Sequence, residues 1–325
     1  MFGFLKNNPY VIGVDIGDDG VKIAQLANNE KGISLLAGTS ENRPLDINPV
    51  SGAWQKWAID TIRELTANGN FHGKEVVAAI PANEVFIDNI KMPKTGDNKL
   101  EDTIFSKIKQ KLPFEAAKNN TMIKYTPTEE DNILVMATER SVIDRHLAIY
   151  EQTNLKIKSI GVWPVALVNC YTSFFGRRKS DLQAVVMLLD IEPNYANVVI
   201  CRHKNLLFSR SISVAAKDLG DKNTAARLVL ELTSCRRQFS SMFSNAHIER
   251  LIFLSGRAIE KDMCAAIAKQ LEMPAQMGDC LAAVQINGSY RFENNPEQHK
   301  ERSGTPIDRR NSSINWAIAF GLSLS

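Results

Sequence analysis

Apolar positions along the chain recur at two spacings, every second residue or continuously over short runs and near every 3.6 residues over longer ones, and their alternation predicts the elements. Val11 to Val14 and Val21 to Leu26 are aliphatic, β-branched runs of strand length, parted by Gly and Asp residues that suit a tight turn. A third strand is predicted over 31–37. Trp54, Trp57, Ile59, Ile62 and Leu65 recur near helical spacing and predict an amphipathic helix over 53–66. Val76 to Ile80 then forms a buried strand that stops at Pro81.

From Val85 the pattern tightens into a strand over 85–92, a helix over 100–112, strands over 121–126 and 133–138, and a helix over 141–153. Ser141, with Asp144 three residues on, reads as the N-cap of that helix. These roughly seventy residues form a small α+β unit, below the size of an average domain. A strand over 157–162 returns from it, and Pro164 opens a helix to Tyr171.

The polar, basic stretch 176–181 marks a boundary. Beyond it Val185 to Asp190 is an apolar strand ending in a carboxylate, followed by strands over 196–201 and 205–211. This repeats the outline of the beginning of the chain, an internal duplication that bears on architecture. A long helix over 224–243, a strand over 251–254 with a turn at Ser255 and Gly256, and a helix over 263–271 follow. Residues 287–313 are poor in apolar side chains and predict a surface loop, whereas 314–322 is apolar again and predicts a docked terminal helix.

At 325 residues the chain is long enough for two domains, and 44% hydrophobic with 23% charged residues is ordinary globular composition. A net charge of +3, dispersed along the chain, argues against nucleic acid as a partner. The first six residues lack a signal-peptide core, and no apolar run reaches the roughly 18 residues of a membrane span. A cytoplasmic location is therefore expected. The cysteines at 170, 201, 235, 264 and 280 show no metal-binding spacing and read as small buried hydrophobes.

The chemistry concentrates at Asp15-Ile16-Gly17-Asp18-Asp19-Gly20-Val21-Lys22. Successive backbone N–H groups of a glycine-bearing turn can converge on an anion, Lys22 would add a full charge, and Asp15 could hold Mg2+ through water. An ordinary hairpin with an acidic turn accounts for the same residues. No Gly-x4-Gly-Lys-Ser/Thr loop and no Gly-x-Ser-x-Gly elbow is present. Glu84 and Glu101 read as surface charges, and the five histidines are isolated, so no residue can be nominated for catalysis.

Two strand-Asp-turn hairpins, the turn after Leu254, the loop Gly13 to Lys22, the segment Leu112-Pro113-Phe114 and the terminal Ala317 to Leu322 together resemble the actin-like ATPase superfamily. Within it the chain is similar to the PilM family of type IV pilus assembly proteins, related to FtsA. The resemblance implies an α/β, two-lobed fold of duplicated RNase H-like cores. The first lobe would take residues 1–180, with an α+β insert at about 84–156. The second would take 181–325, with the loop at 287–313 and the docked terminal helix.

It further implies ATP and Mg2+ between the lobes. Asp15 and Asp190 would approach the metal, while the backbone of Gly17, Asp18, Asp19 and Gly20 and the amine of Lys22 would face phosphate. Ser255, Gly256 and Arg257 would lie near adenosine, and Glu231 and Arg236 would reach the ribose or base. Asp18 and Asp19 replace the family's small hydroxyl residues, Asp190-Ile191-Glu192-Pro193 replaces an Asp-Ile-Gly, and Arg257 replaces a second glycine, so nucleotide binding is expected to be weakened or lost.

The expected function is an assembly adaptor rather than an efficient enzyme. It would bind the cytoplasmic N-terminal peptide of a PilN-like inner-membrane protein in a groove between the first lobe and its insert, with pilus assembly ATPases as further partners. The expected position is peripheral, at the inner membrane. A small-molecule (sugar) kinase and an FtsA- or MreB-like filament protein share the core and are the competing readings.

Overall fold

The computed structural model describes residues 8–30, 32–49, 51–92, 100–255, 259–286, 305–306 and 314–325. The chain opens as a meander, β1 (Asn8–Ile16), β2 (Gly20–Asn29) and β3 (Gly32–Asn42), all antiparallel. Helix α1 (Gly52–Asn68) follows, capped by Ser51, whose hydroxyl accepts from the Trp54 N–H at 3.1 Å. Strand β4 (Glu75–Ile80) returns parallel to β1. Trp54, Ile62 and Leu65 of α1 pack on Val14, Val21 and Ile23, which uses the helical stripe read from the sequence.

Strand β5 (Phe86–Lys91), helix α2 (Leu100–Ile108), β6 (Thr121–Pro127) and β7 (Asn132–Glu139) make the insert, a three-stranded antiparallel sheet in the order β5-β7-β6. Ile104 and Ile108 of α2 seal one face of it against Ile90, Ile133 and Val135. Helix α3 (Arg140–Gln152) starts directly from β7. The expected Ser141 cap is therefore not used: Glu139 stands at the N-cap with extended backbone and no side-chain bond. The Arg140 N–H donates instead to the Asn120 carbonyl at 2.7 Å. Strand β8 (Lys156–Val162) runs parallel to β4, and α4 (Trp163–Phe174) follows with Pro164 in its first turn.

The second half repeats the plan. Strands β9 (Val185–Ile191), β10 (Ala196–Arg202) and β11 (Asn205–Ile212) form an antiparallel meander, and α5 (Lys222–Met242) crosses to β12 (Ile248–Phe253), parallel to β9. Helix α6 (Lys261–Gln270) leads to β13 (Ala275–Met277), giving a five-stranded sheet in the order β11-β10-β9-β12-β13. Asp221 caps α5 by accepting from the Thr224 N–H at 2.9 Å.

The chain then returns to the first sheet. After the short α7 (Cys280–Ala283), β14 (Gln285–Ile286) and β15 (Thr305–Pro306) both pair with β3, completing seven strands with the path β14-β3-β2-β1-β4-β8. Helix α8 (Ala317–Ser323) docks on β1, β2 and α4. The sequence assigned this helix to the second half; its contacts are with the first sheet. Apart from β15, the expected loop over 287–313 lies outside the described residues, as do residues 1–6. The five cysteines are free and buried.

The docking of α8 explains two glycines and a serine. A Cβ on Gly13 would stand 2.2 Å from the Ala319 carbonyl oxygen, and one on Gly321 would stand 1.8 Å from that of Ala166, so helix, strand and α4 touch through bare backbone. The β1–β2 register shifts between Pro9 and Ile12. At that irregularity the Ser323 hydroxyl donates to the Val11 carbonyl at 2.8 Å and accepts from the Leu26 N–H at 3.0 Å. One side chain thus satisfies a donor and an acceptor of two strands.

Candidate functional site

The turn between β1 and β2 and the turn after β9 meet in a cleft between the two larger sheets. Asp15 lies one residue from the end of β1, opposite Lys22 on β2. Asp190 lies one residue from the end of β9, in the corresponding place, and Glu192 follows the strand. Lys22 is 6% exposed, and its ammonium donates to Glu192 Oε2 at 2.9 Å. Asp19 and Asp15 flank it at 3.7 and 3.8 Å. Asn197 Nδ2 donates to Asp190 Oδ2 at 2.9 Å, while the Asn315 amide donates to Asp190 Oδ1 and, at 3.1 Å, to Glu192 Oε1.

One ammonium therefore faces four carboxylates in a buried place. Burial, with Asp19 and Asp190 adding repulsion, pushes the Asp15 carboxyl up to about 6 against the pull of Lys22. Burial also raises Asp190, and it raises Glu192 well above the usual range. For Lys22 burial opposes the charge, but Glu192, Asp19 and Asp15 outweigh it and hold the amine well above its ordinary value. Lys22 keeps its charge, and its pull on Asp15, Asp190 and Glu192 opposes the burial that raises them.

One backbone donor of the loop that would cradle phosphate is engaged within the turn. Gly17 N–H donates to the Gly20 carbonyl at 2.9 Å. Arg43 braces the turn from outside, its N–H donating to the Asp19 carbonyl at 2.7 Å and its Nε to the Asp18 carbonyl at 2.6 Å. The Asp18 side chain accepts from Asn83 Nδ2 at 3.2 Å.

The remaining site candidates make contacts within the chain. The Ser255 hydroxyl, fully buried, accepts from the Ile191 N–H at 2.7 Å and ties the end of β12 to β9. Glu231 pairs with Arg210 of β11 at 3.4 Å, and Arg236 donates to the Leu271 carbonyl behind α6 at 2.7 Å. Gly256 and Arg257 lie outside the described residues.

Three residues of this region were not read from the sequence as partners: Asn315, Asn197 and Glu192 in its role as the acceptor for Lys22. The available signal was a polar Asn between Ile314 and Trp316 in an apolar run. Glu84 is corrected. It was read as a surface charge, yet its side chain is 7% exposed, bonded to Arg145 at 2.6 Å and His146 at 3.2 Å. Burial opposes its ionisation, but His146 and Arg145 prevail and hold its carboxyl below the ordinary range.

The cleft does not fit a magnesium triphosphate. Its lysine is satisfied by a carboxylate of the chain, Pro193 removes a backbone donor from the second turn, and beyond the Asp15 and Asp190 that would face a metal, Asp19 and Glu192 would repel the phosphates. The space beside Lys22, Glu192, Pro193 and Asn315 is about 210 Å³.

A larger space opens elsewhere. A groove of about 770 Å³ runs between the insert and the seven-stranded sheet, bordered by β6 (Met122, Lys124), β8 (Ile157, Ile160) and α4 (Val165). Both strands end their sheets among the described residues, so each offers an unpaired backbone edge. Met122 and Val165, two of the large apolar side chains left exposed, line it.

Two open-faced meanders, each extended by parallel strands and facing each other across an acidic cleft, define an actin-like ATPase fold. The family model described as Type IV pilus assembly protein PilM matches residues 13–225. The chain belongs to the PilM family and so to type IV pilus assembly. A solved structure titled as a PilM–PilN type IV pilus biogenesis complex is similar in fold, with a TM-score of 0.73, 18% identity and coverage of 97% of this chain and 98% of that one. The cytoplasmic domain of EpsL from the Vibrio cholerae type II secretion system has a TM-score of 0.47 at 8% identity, covering 75% of this chain and 81% of its own. An actin-like ATPase-fold protein from Bacteroides thetaiotaomicron has 0.48 at 9% identity, covering 85% and 92%. Compared with curated protein sequences, the chain finds no match. Among the described residues no helix is long and apolar enough to cross a membrane.

Proposed function

We propose that the chain is an adaptor in type IV pilus, or related secretion-system, assembly, and that it receives the cytoplasmic N-terminal peptide of a PilN-like inner-membrane protein. The observation that carries this reading is the groove of about 770 Å³ with an open strand edge on each side. An extended peptide can add to either edge through its backbone and place alternate side chains on Met122, Ile160 and Val165. A related fold captured as a PilM–PilN complex supports the choice of partner. Such docking would hold the protein at the inner membrane through its partner. ATP and Mg2+ have no required place in this reading.

The test is a titration of the full chain against a fluorescein-labelled N-terminal peptide of a PilN-like protein from the same genome, followed by polarisation. Val165→Asp puts a charge into the groove from the first turn of α4, at a side chain 42% exposed and where the helix dipole favours an acid. Affinity should fall at least tenfold, about 1.4 kcal/mol. Equal affinity for both proteins would remove the groove from the binding site.

A further inference from the structure

We propose that Glu192 is the resident anion of the cleft: the chain supplies its own carboxylate where a nucleotide phosphate would sit, and the two larger sheets are latched together without ligand. A lysine buried to 6% exposure requires an anion, and the nearest one is Glu192 Oε2 at 2.9 Å, from the other sheet's side of the cleft. Asp19 and Asp15 are each nearly an ångström further away.

Glu192 is held there by contacts on every side. Its backbone N–H donates to the Tyr195 carbonyl at 2.8 Å, and its carbonyl accepts from the Ala216 N–H at 3.0 Å. Its second carboxylate oxygen accepts from Asn315 at 3.1 Å, and Asn315 also holds Asp190. Asn315 itself is fixed by its side-chain oxygen accepting from the Ala317 N–H, at the start of the helix docked on the first sheet. The latch thus has two strands: Lys22 reaches from β2 to Glu192, and Asn315 reaches from the foot of α8 to Asp190 and Glu192. A phosphate entering the space of about 210 Å³ would have to displace a carboxylate whose side chain is 4% exposed.

The experiment uses the full chain and two readouts. Thermal unfolding of the wild type is followed with and without millimolar Mg-ATP and, separately, inorganic tripolyphosphate; both should leave Tm unchanged. A rise of several degrees with either would overturn the proposal, and this arm needs no variant. A double-mutant cycle then compares Lys22→Met, Glu192→Leu and the double variant. Removing Glu192 leaves Lys22 with Asp15 and Asp19 at 3.8 and 3.7 Å, and removing Lys22 leaves the acids without their cation, so each single variant loses the Lys22–Glu192 contact while the double variant loses it only once. The double variant should therefore unfold well above the temperature expected from adding the two single losses. Strict additivity would show that the two side chains do not act as a pair and would end the proposal. Both readouts concern the cleft alone, which shares no lining residue with the groove, so neither depends on peptide binding.

Discussion

At the scale of single residues, the same side-chain chemistry is driven in opposite directions by neighbours. Asp15 and Glu84 are both buried carboxylates, but Asp15 shares one lysine with three further acids while Glu84 has Arg145 and His146 to itself. Asp15 is raised from 3.8 to about 6, so the folded state holds a proton that the unfolded chain gives up. Its contribution is fully present below pH 3.8 and is lost as pH rises through about 6, a change on the order of 3 kcal/mol. Asp15→Asn is neutral at every pH and should gain on the wild type between pH 4 and 6, then keep a constant lead. Urea melts across that range check this, and a pH-independent difference would mean that Asp15 does not titrate there. Glu84, lowered by its partners, has the reverse sign: its contribution is present at neutral pH and lost on acidification below its ordinary 4.5, so Glu84→Gln should cost stability at pH 7 and little in acid.

At the scale of elements, two small contacts fix large pieces. Helix α8 buries Ile318, Phe320 and Leu322, each side chain contributing roughly 1.5–3 kcal/mol, and can do so only because Gly321 lets its backbone meet that of Ala166. Gly321→Ala should force the helix away and cost ~3 kcal/mol or more, read as a fall in Tm and as proteolysis of the C-terminus. A variant with wild-type Tm would mean that the helix can shift without loss. The second contact joins the insert to the other half. The β6–β7 turn carries Glu130 and Asp131 at positive φ. That geometry aims the Glu130 carboxylate at the N–H groups of Ser244 and Asn245, both at 2.9 Å. Buried Asn132 donates to the Met242 carbonyl at 2.9 Å, at the end of α5. Asn132→Ala should cost about 1–3 kcal/mol and speed hydrogen exchange in β5 to β7 ahead of the remaining sheets. Unchanged exchange there would show that other contacts hold the insert.

At the scale of the whole molecule, the insert stands between two surfaces that matter. One side of it faces the groove beside β8, and its other side is pinned to the second half by Asn89 to the Leu207 carbonyl at 2.8 Å and by the Arg202–Glu129 pair. The insert that borders the groove thus also contacts the second half, whose position the Lys22–Glu192 bridge helps to fix. Glu192→Leu should accordingly change peptide affinity even though Glu192 is absent from the groove lining. The same polarisation titration measures it, and an unchanged affinity in a folded variant would separate the two sites energetically.

The sequence alone determined whatever depends on neighbours along the chain. Trp54, Ile62 and Leu65 sit on one helical face at any tertiary arrangement, and the runs ending at Asp15 and Asp190 are strands because their residues are β-branched and aliphatic. The repeat of that outline, read beside the family motifs, carried the two-sheet architecture. What the tertiary structure decided are pairings between residues far apart in sequence. Lys22 finds Glu192 170 residues away, and Glu84 finds Arg145 and His146 only after β5, β6 and β7 have folded between them. The last helix lies on the first sheet because Gly13 and Gly321 leave room for it, a steric fact spread over 308 positions that no local pattern records. Local propensity fixes the elements; burial and charge pairing, which act through space, choose what each one meets.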